Sequence, residues 1–301
     1  MNNNMHPLDS LSVDEIKKSV NIFKSDNNSD ENSVFSYISL EEPDKNFVKN
    51  YKVGNTFSRK TKIIGVDSSS KGFEASIDLN KEKVTSLNVI PDAAGPTYTM
   101  SEIMIAIQLT LENDEYQAAL EKRGITDLSL IQIDPWPGGG ITHEKIKEGH
   151  RALKTISFLK ESPEDNAYAK PISGLISHVD LTDKCIVEIE DQGISNLPEQ
   201  SAKYDAASQE VLRNRPKDIS ITQPDGPGFD VSNNEISWEG WNLRVSIDPI
   251  EGLVIQNLNL NKREIFYRAS MSDMVVPYGS ADPMHSSVSY THLTLPTMLW
   301  V

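Results

Sequence analysis

Hydrophobic and polar positions change their period along this chain in a way that repeats. Ser12-Val-Asp-Glu15 and Thr99-Met-Ser-Glu102 each set a hydroxyl residue three positions ahead of a glutamate, the pattern of a capping box at a helix start. Behind the first box Ile16, Val20 and Phe23 fall at i, i+4 and i+7; behind the second, Ile103, Ile107 and Leu111 fall at i, i+4 and i+8, again one helical face. Asn113-Asp114 opens a further short helix through Tyr116, Ala119 and Leu120, which Gly124 ends. After each helical stretch come short strand-like runs. The pattern predicts strands over 34–40, 57–66, 73–79 and 84–90, and again over 128–134, 152–160, 174–180 and 185–189. A helix followed by a four-strand meander predicts a sheet with one face covered.

The duplicated order predicts an α+β chain: two small domains, each a helix on an antiparallel sheet, at residues 1–93 and 94–213. An aperiodic connection over 191–216 leads out of the second. From Ile219 the pattern turns all-β. Trp241, Leu243, Val245 and Ile247 alternate, Asp248-Pro-Ile-Glu-Gly252 makes a turn, and residues 253–260 return. Residues 214–286 therefore predict the truncated start of a large antiparallel β-sandwich.

Composition narrows the function. The 301 residues carry 29 Lys+Arg against 44 Asp+Glu, a formal charge of −15, which leaves no basic surplus for phosphates and argues against nucleic acid as a partner. The single cysteine, Cys185, excludes an internal disulfide framework and a cysteine-rich zinc site. Neither a basic-then-apolar leader nor an 18-residue apolar run is visible, so the expectation is a cytoplasmic protein with no membrane partner.

Generic site patterns are weak. Gly138-Gly-Gly140 lacks the Lys-Ser/Thr of a phosphate loop and reads as a turn after Pro137. His143 and His150, seven apart, are expected on one face of a short charged helix with Glu144 and Glu148. A metal-binding regulator built on them would lose its metal on His150→Ala, but exposed polar residues are the reading adopted. His178 is expected as a satisfied strand histidine, Cys185 as a buried inert thiol, and Glu161-Ser-Pro-Glu-Asp165 as a solvated turn.

The specific signal lies further on. Ser220-Ile-Thr-Gln-Pro-Asp-Gly-Pro-Gly-Phe229, Ile236-Ser-Trp238, Trp241, Ile247-Asp-Pro-Ile-Glu-Gly-Leu253 and Tyr267-Arg-Ala-Ser-Met-Ser-Asp-Met-Val-Val-Pro-Tyr-Gly279 closely resemble the motifs that open the catalytic domain of the copper amine oxidases. Phe158-Leu-Lys-Glu-Ser-Pro-Glu-Asp-Asn-Ala-Tyr168, Pro171-Ile-Ser-Gly174, Asp134-Pro-Trp136 and His6-Pro-Leu-Asp9 resemble its preceding small domains. The resemblance runs over about residues 6–286 and is most specific beyond about residue 150.

It implies oxidation of primary amines by dioxygen to aldehyde, ammonia and hydrogen peroxide, in a homodimer. The cofactors implied are copper, held by three histidines, and topaquinone, made from a tyrosine. The quinone takes the amine as a Schiff base, and a carboxylate removes the α-proton. The residues that do this are not found here. Asn50-Tyr51 is the only Asn-Tyr pair and is followed by Lys52 rather than Asp or Glu. The six histidines (His6, His143, His150, His178, His285 and His292) contain no His-x-His pair, and no Asp-x-Gly-Glu follows Tyr278-Gly279. Hence no catalytic, cofactor-binding or metal-ligating residue is assigned, and the chain is expected to be an inactive fragment. Trp136 alone is carried over, as a residue at the mouth of the substrate channel, with packing of its own domain as the equal alternative. Residues 287–301, with no Asp, Glu, Lys or Arg, resemble nothing in the family and are expected to be an unrelated, artefactual tail. The rival reading is a stand-alone, non-catalytic interaction module built from the small domains.

Overall fold

A computed structural model of the chain describes residues 5–91, 95–137, 143–199 and 203–271. The glycine run 138–140, Tyr278-Gly279, His285, His292 and the tail 287–301 lie outside the described residues. Two compact units emerge. One joins the described residues up to Thr97 with those from Ile221 onward, and the other comprises Tyr98–Ser220.

In the first unit, helix α1 (Val13–Ser25) begins at the expected capping box. The Glu15 amide donates to Ser12 Oγ at 3.2 Å and the Ser12 amide to Glu15 Oε2 at 2.8 Å. Strands β1 (Val34–Leu40), β2 (Lys60–Val66), β3 (Gly72–Asp78) and β4 (Lys83–Val89) form an antiparallel meander in that order. Their alternation puts Ile63, Phe73, Ala75 and Ile77 on the face that α1 covers, where Phe23 stacks on Phe73 with centroids 5.0 Å apart. A short helix, α2 (Lys45–Asn50), falls between β1 and β2 where no helix was expected. Asp44 caps it, accepting from the amides of Asn46 and Phe47.

The same unit carries the start of the sandwich: β9 (Phe229–Ser232), β10 (Glu235–Trp238), β11 (Trp241–Asp248), β12 (Gly252–Leu260) and β13 (Arg263–Ala269), paired antiparallel in sequence order. Charged groups join this sheet to the helix-and-meander. Arg244, 7 % exposed, pairs with Asp9 and Glu235; Arg268 reaches Glu42 at 3.1 Å, and Gln256 Nε2 donates to the same carboxylate at 2.6 Å.

The second unit repeats the plan. Helix α3 (Met100–Leu111) starts at the Thr99–Glu102 box, and α4 (Asp114–Lys122) is capped by Asn113 and stops at Gly124, whose φ of +75° is natural only to glycine. Strands β5 (Ile131–Pro137), β6 (Ala152–Leu159), β7 (Pro171–Asp180) and β8 (Cys185–Asp191) form the second antiparallel meander. The predicted strand at 128–134 starts later because Leu128–Leu130 is a 3-10 turn capped by Asp127. Tyr116, Leu120, Ile133 and Leu175 form the core under α4, and Ala106, Leu153 and Val179 a second cluster under α3. No helix among the described residues is long and apolar enough to cross a membrane.

One buried guanidinium ties each capping box to its sheet. Arg59, 3 % exposed, donates from Nε to Glu15 Oε1 at 2.8 Å and from Nη1 and Nη2 to the carbonyls of Pro7, Asp9 and Ser10. Arg151, 7 % exposed, donates from Nε to Glu102 Oε1 at 2.5 Å and lies over the Tyr98 ring at 4.4 Å. Burial is the largest single influence and opposes the Glu15 charge, but the bonds and charge of Arg59 and the bonds from Ser12 together outweigh it and hold this carboxyl below its ordinary value. A depressed folded-state pKa stabilises above the unfolded value and is lost as the carboxyl protonates on the folded chain, so acid weakens this joint from about pH 4.5 downward. Arg59→Ala leaves Glu15 and three carbonyls without their donor and is expected to destabilise the first unit by about 3 kcal/mol. Urea unfolding should show that loss in the first unit while the second keeps its midpoint; Arg151→Ala should do the reverse.

Candidate functional site

The two faces of the second sheet differ in chemistry. Leu153, Thr155 and Ser157 of β6 point to the helices, where Ser157 Oγ meets the Tyr116 hydroxyl at 2.6 Å and Thr155 meets Thr110 at 3.1 Å. Alternation sends Asp134 and Trp136 of β5, Lys154, Ile156 and Phe158 of β6, and Ile176 and His178 of β7 to the other face. That face carries the one residue the sequence singled out.

Trp136 pairs in register with Lys154 and is half-buried against a cluster of Ile156, Phe158, Ala167 and Ile176. Phe158 meets Tyr168 edge-on, centroids 5.0 Å apart, and Tyr168 is 59 % exposed. The Asp134 carboxylate accepts from Gln132 Nε2 at 3.2 Å and feels the nearby Tyr168 phenol. Burial raises the Asp134 pKa above its ordinary value, more than Tyr168 and Gln132 lower it. Burial and the Asp134 charge together push the Tyr168 phenol up to about 12. The result is an apolar aromatic shelf with one carboxylate at its edge. It can pack against a hydrophobic body or face a cation, and it holds no nucleophile–base pair.

The remaining candidates fall elsewhere. His143 and His150 do not share a helix. Residues 143–150 form two successive turns, with Gly149 at φ +81°, a conformation that breaks a helical run. His143 instead rests on His178 with ring centroids 4.5 Å apart and faces Glu188 at 3.4 Å. His178 is the satisfied strand histidine expected, 3.3 Å from Glu190, with its pKa lowered chiefly by burial. His150 meets Asp180 at 2.8 Å. Cys185 is exposed rather than buried because it opens β8, the edge strand of the sheet. Its thiol pKa is raised, by desolvation first and then by Asp180 and Asp183, which makes it a poor nucleophile. Glu161 pairs with Lys170 and Lys203 at the surface, as a solvated turn should.

Among the described residues no three histidines converge; the one group of three metal-competent side chains is His150, Asp180 and Asp183. The Tyr51 hydroxyl donates to the Met5 carbonyl at 2.9 Å and its ring is wedged between His6 and Phe57, the setting of a structural tyrosine. These residues do not fit a three-histidine copper centre or a quinone. The residues that sequence reasoning missed are Arg59 and Arg151, together with Asp180 and Asp183. Their partners lie tens of positions away, so no local spacing announces them.

Comparison with known proteins agrees with the fold. A copper-containing benzylamine oxidase from Hansenula polymorpha superposes with a TM-score of 0.80 at 22% identity, over 96% of this chain and 48% of its own. The fold is therefore that of two helix-on-meander modules leading into the β-sandwich of such an oxidase. Residues 6–90 match the copper amine oxidase N2 domain, 101–209 the N3 domain and 230–294 the enzyme domain. A primary amine oxidase from an Arthrobacter species is 32% identical over 286 residues, 93% of this chain and 43% of the relative. A histamine oxidase from Arthrobacter globiformis is 32% identical over 296 residues, 95% of this chain and 42% of the relative. The chain belongs to the copper amine oxidase family, and it spans less than half the length of these relatives.

Because the Asp134 pKa is raised, its ionisation costs stability as pH climbs through the folded-state value. Asp134→Asn is therefore expected to leave the second unit as stable as the parent or more so at neutral pH. The advantage should vanish near pH 3, where the parent carboxyl is protonated in both states. Urea midpoints at the two pH values measure it, and a large loss at neutral pH would contradict the assignment.

Proposed function

We propose that this chain is the N-terminal part of a copper- and topaquinone-dependent primary-amine oxidase and is not itself catalytic. The observation that carries the reading is the run of three domain matches in family order, N2, N3 and enzyme domain, along one chain. The reaction proposed for the longer enzyme is conversion of a primary amine and dioxygen to aldehyde, ammonia and hydrogen peroxide, in a homodimer. The primary amine and histamine oxidases named above support this substrate class. In this reading Asp134, the carboxylate on the aromatic shelf, which accepts from Gln132 Nε2, is not the proton acceptor of that chemistry.

Trp136 is the residue proposed to meet substrate, at the mouth of the amine channel. What supports it is position: a half-buried indole on the face of the second sheet that α3 and α4 leave uncovered. A flat apolar wall beside a single carboxylate suits the apolar body of an amine and, at its edge, the ammonium. An intracellular location completes the proposal. A diamine oxidase from Nicotiana tabacum, 34% identical over 218 residues, is described as peroxisomal, and cell fractionation separates that compartment from the cytoplasm.

Two measurements test this. Aerobic incubation of the purified chain with copper is expected to produce no quinone absorbance and no peroxide when a primary amine is added; a stoichiometric quinone band would overturn the non-catalytic reading. In the longer enzyme, Trp136→Ala should change KM for a bulky amine several-fold with little change in kcat, because a wall at the entrance binds ground state and transition state alike. A matching loss in kcat would remove Trp136 from the entrance.

A further inference from the structure

The two modules share one device at the end of their third strand, and two of the side chains around it differ in charge or metal-binding character. In the first, Asp78 closes β3. Its Oδ1 accepts from the amides of Asn80 and Lys81, both at 3.0 Å, and its Oδ2 accepts from Ser58 Oγ at 3.0 Å. Lys81 Nζ stands 3.4 Å from the same Oδ2. In the second, Asp180 closes β7. Its Oδ1 accepts from the amides of Thr182 and Asp183, both at 2.9 Å, and its Oδ2 faces His150 Nδ1 at 2.8 Å. Ser58 and His150 each precede the buried arginine, and Lys81 and Asp183 each stand three residues beyond the aspartate. The second module thus has an imidazole and a carboxylate where the first has a hydroxyl and an ammonium.

That exchange converts a self-satisfied turn into a donor set. One ligand atom each from His150, Asp180 and Asp183 lies within 4.8 Å of the others, and His150 Nδ1 is 3.9 Å from Asp183 Oδ2. Asp180 is 2 % exposed, and its two amide bonds aim the second oxygen at the imidazole. We infer that His150, Asp180 and Asp183 bind a divalent first-row transition ion of the zinc type at the β7–β8 turn. One imidazole and two carboxylates match the ligand preference of such ions, and the two aspartates balance the double charge. Two groups compete. Lys147 Nζ holds Asp183 Oδ2 at 2.6 Å, but this pair is largely in solvent, where such bonds contribute little. The hydrogen bond between His150 Nδ1 and Asp180 gives way when the metal takes that nitrogen, the ring proton then residing on Nε2. His143 is bound up with His178 and Glu188 and is not a ligand.

The full chain, freed of metal by chelator dialysis, is titrated with zinc chloride by calorimetry and with cobalt chloride by visible absorption. One equivalent of zinc is expected to bind, with a cobalt band that zinc displaces. His150→Ser and Asp183→Lys install the residues of the first module, which already fold in this setting, and each should weaken zinc at least tenfold. His143→Ser should bind as the parent does, and thermal melts check that all variants are folded. The inference is overturned if the parent binds no zinc, if His150→Ser and Asp183→Lys bind as tightly as the parent, or if His143→Ser alone loses the metal.

Discussion

A buried arginine bonded to the glutamate of a capping box is the joint on which each small module depends. A helix start leaves amides without partners, and the box satisfies them reciprocally with one hydroxyl and one carboxylate. That carboxylate has oxygens to spare, and Glu15 and Glu102 spend them on Arg59 and Arg151, each standing just ahead of its module's second strand. The helix is thereby fixed to the sheet at one end by charge, while Phe23 or Ala106 fixes its buried face. The same arginines place the third strand, because their carbonyls accept from the amides of Leu79 and Leu181, both at 2.9 Å. One residue thus sets both helix position and strand register.

Seen from that joint, the modules are two versions of one plan, and their differences are where chemistry can enter. Below the joint, the first module bonds Ser19 to Thr61 across helix and sheet at 2.5 Å. The second packs Ala106 with Leu153 at the corresponding place and moves its hydroxyl pair to Thr110 and Thr155. Both solutions leave the helix face dry, since a hydroxyl pair satisfied internally costs little more than an apolar contact. The third-strand turn lies at the surface, so a change from Ser58 and Lys81 to His150 and Asp183 alters its charge without touching either core.

Much of this was legible in the sequence because the signals were local. Ser12 with Glu15, Thr99 with Glu102, Asn113 and Gly124 marked helix ends that the structure shows to within a residue or two, and the alternation of β2, β3, β11 and β12 marked strands. The failures were also physical. Arg59 and Arg151 went unremarked, because their glutamates are 44 and 49 residues away. His143 and His150 carried a helical spacing that Gly149 and the turns around it cancel. Cys185 was misjudged because an apolar run says nothing about whether its strand lies at the centre of a sheet or at its edge.

The joining of the first module to the opening sandwich sheet follows a different rule from the modules' own cores. It is carried by Asp9 and Glu42 against Arg244 and Arg268, and by Lys49 against Glu264 at 2.5 Å. Ion pairs of this kind bring modest net energy, because desolvation offsets much of the attraction, but they are strict about geometry. Asp9 shows the consequence. Its carbonyl is held by Arg59 inside the module while its carboxylate holds Arg244 of the sheet, so the segment that fixes α1 also fixes where the sandwich begins. In a strongly acidic chain, spending the few buried guanidiniums at these points puts each where a carboxylate would otherwise be stranded. The net charge of −15 is thus a property of the solvated surface, and the buried joints are locally balanced.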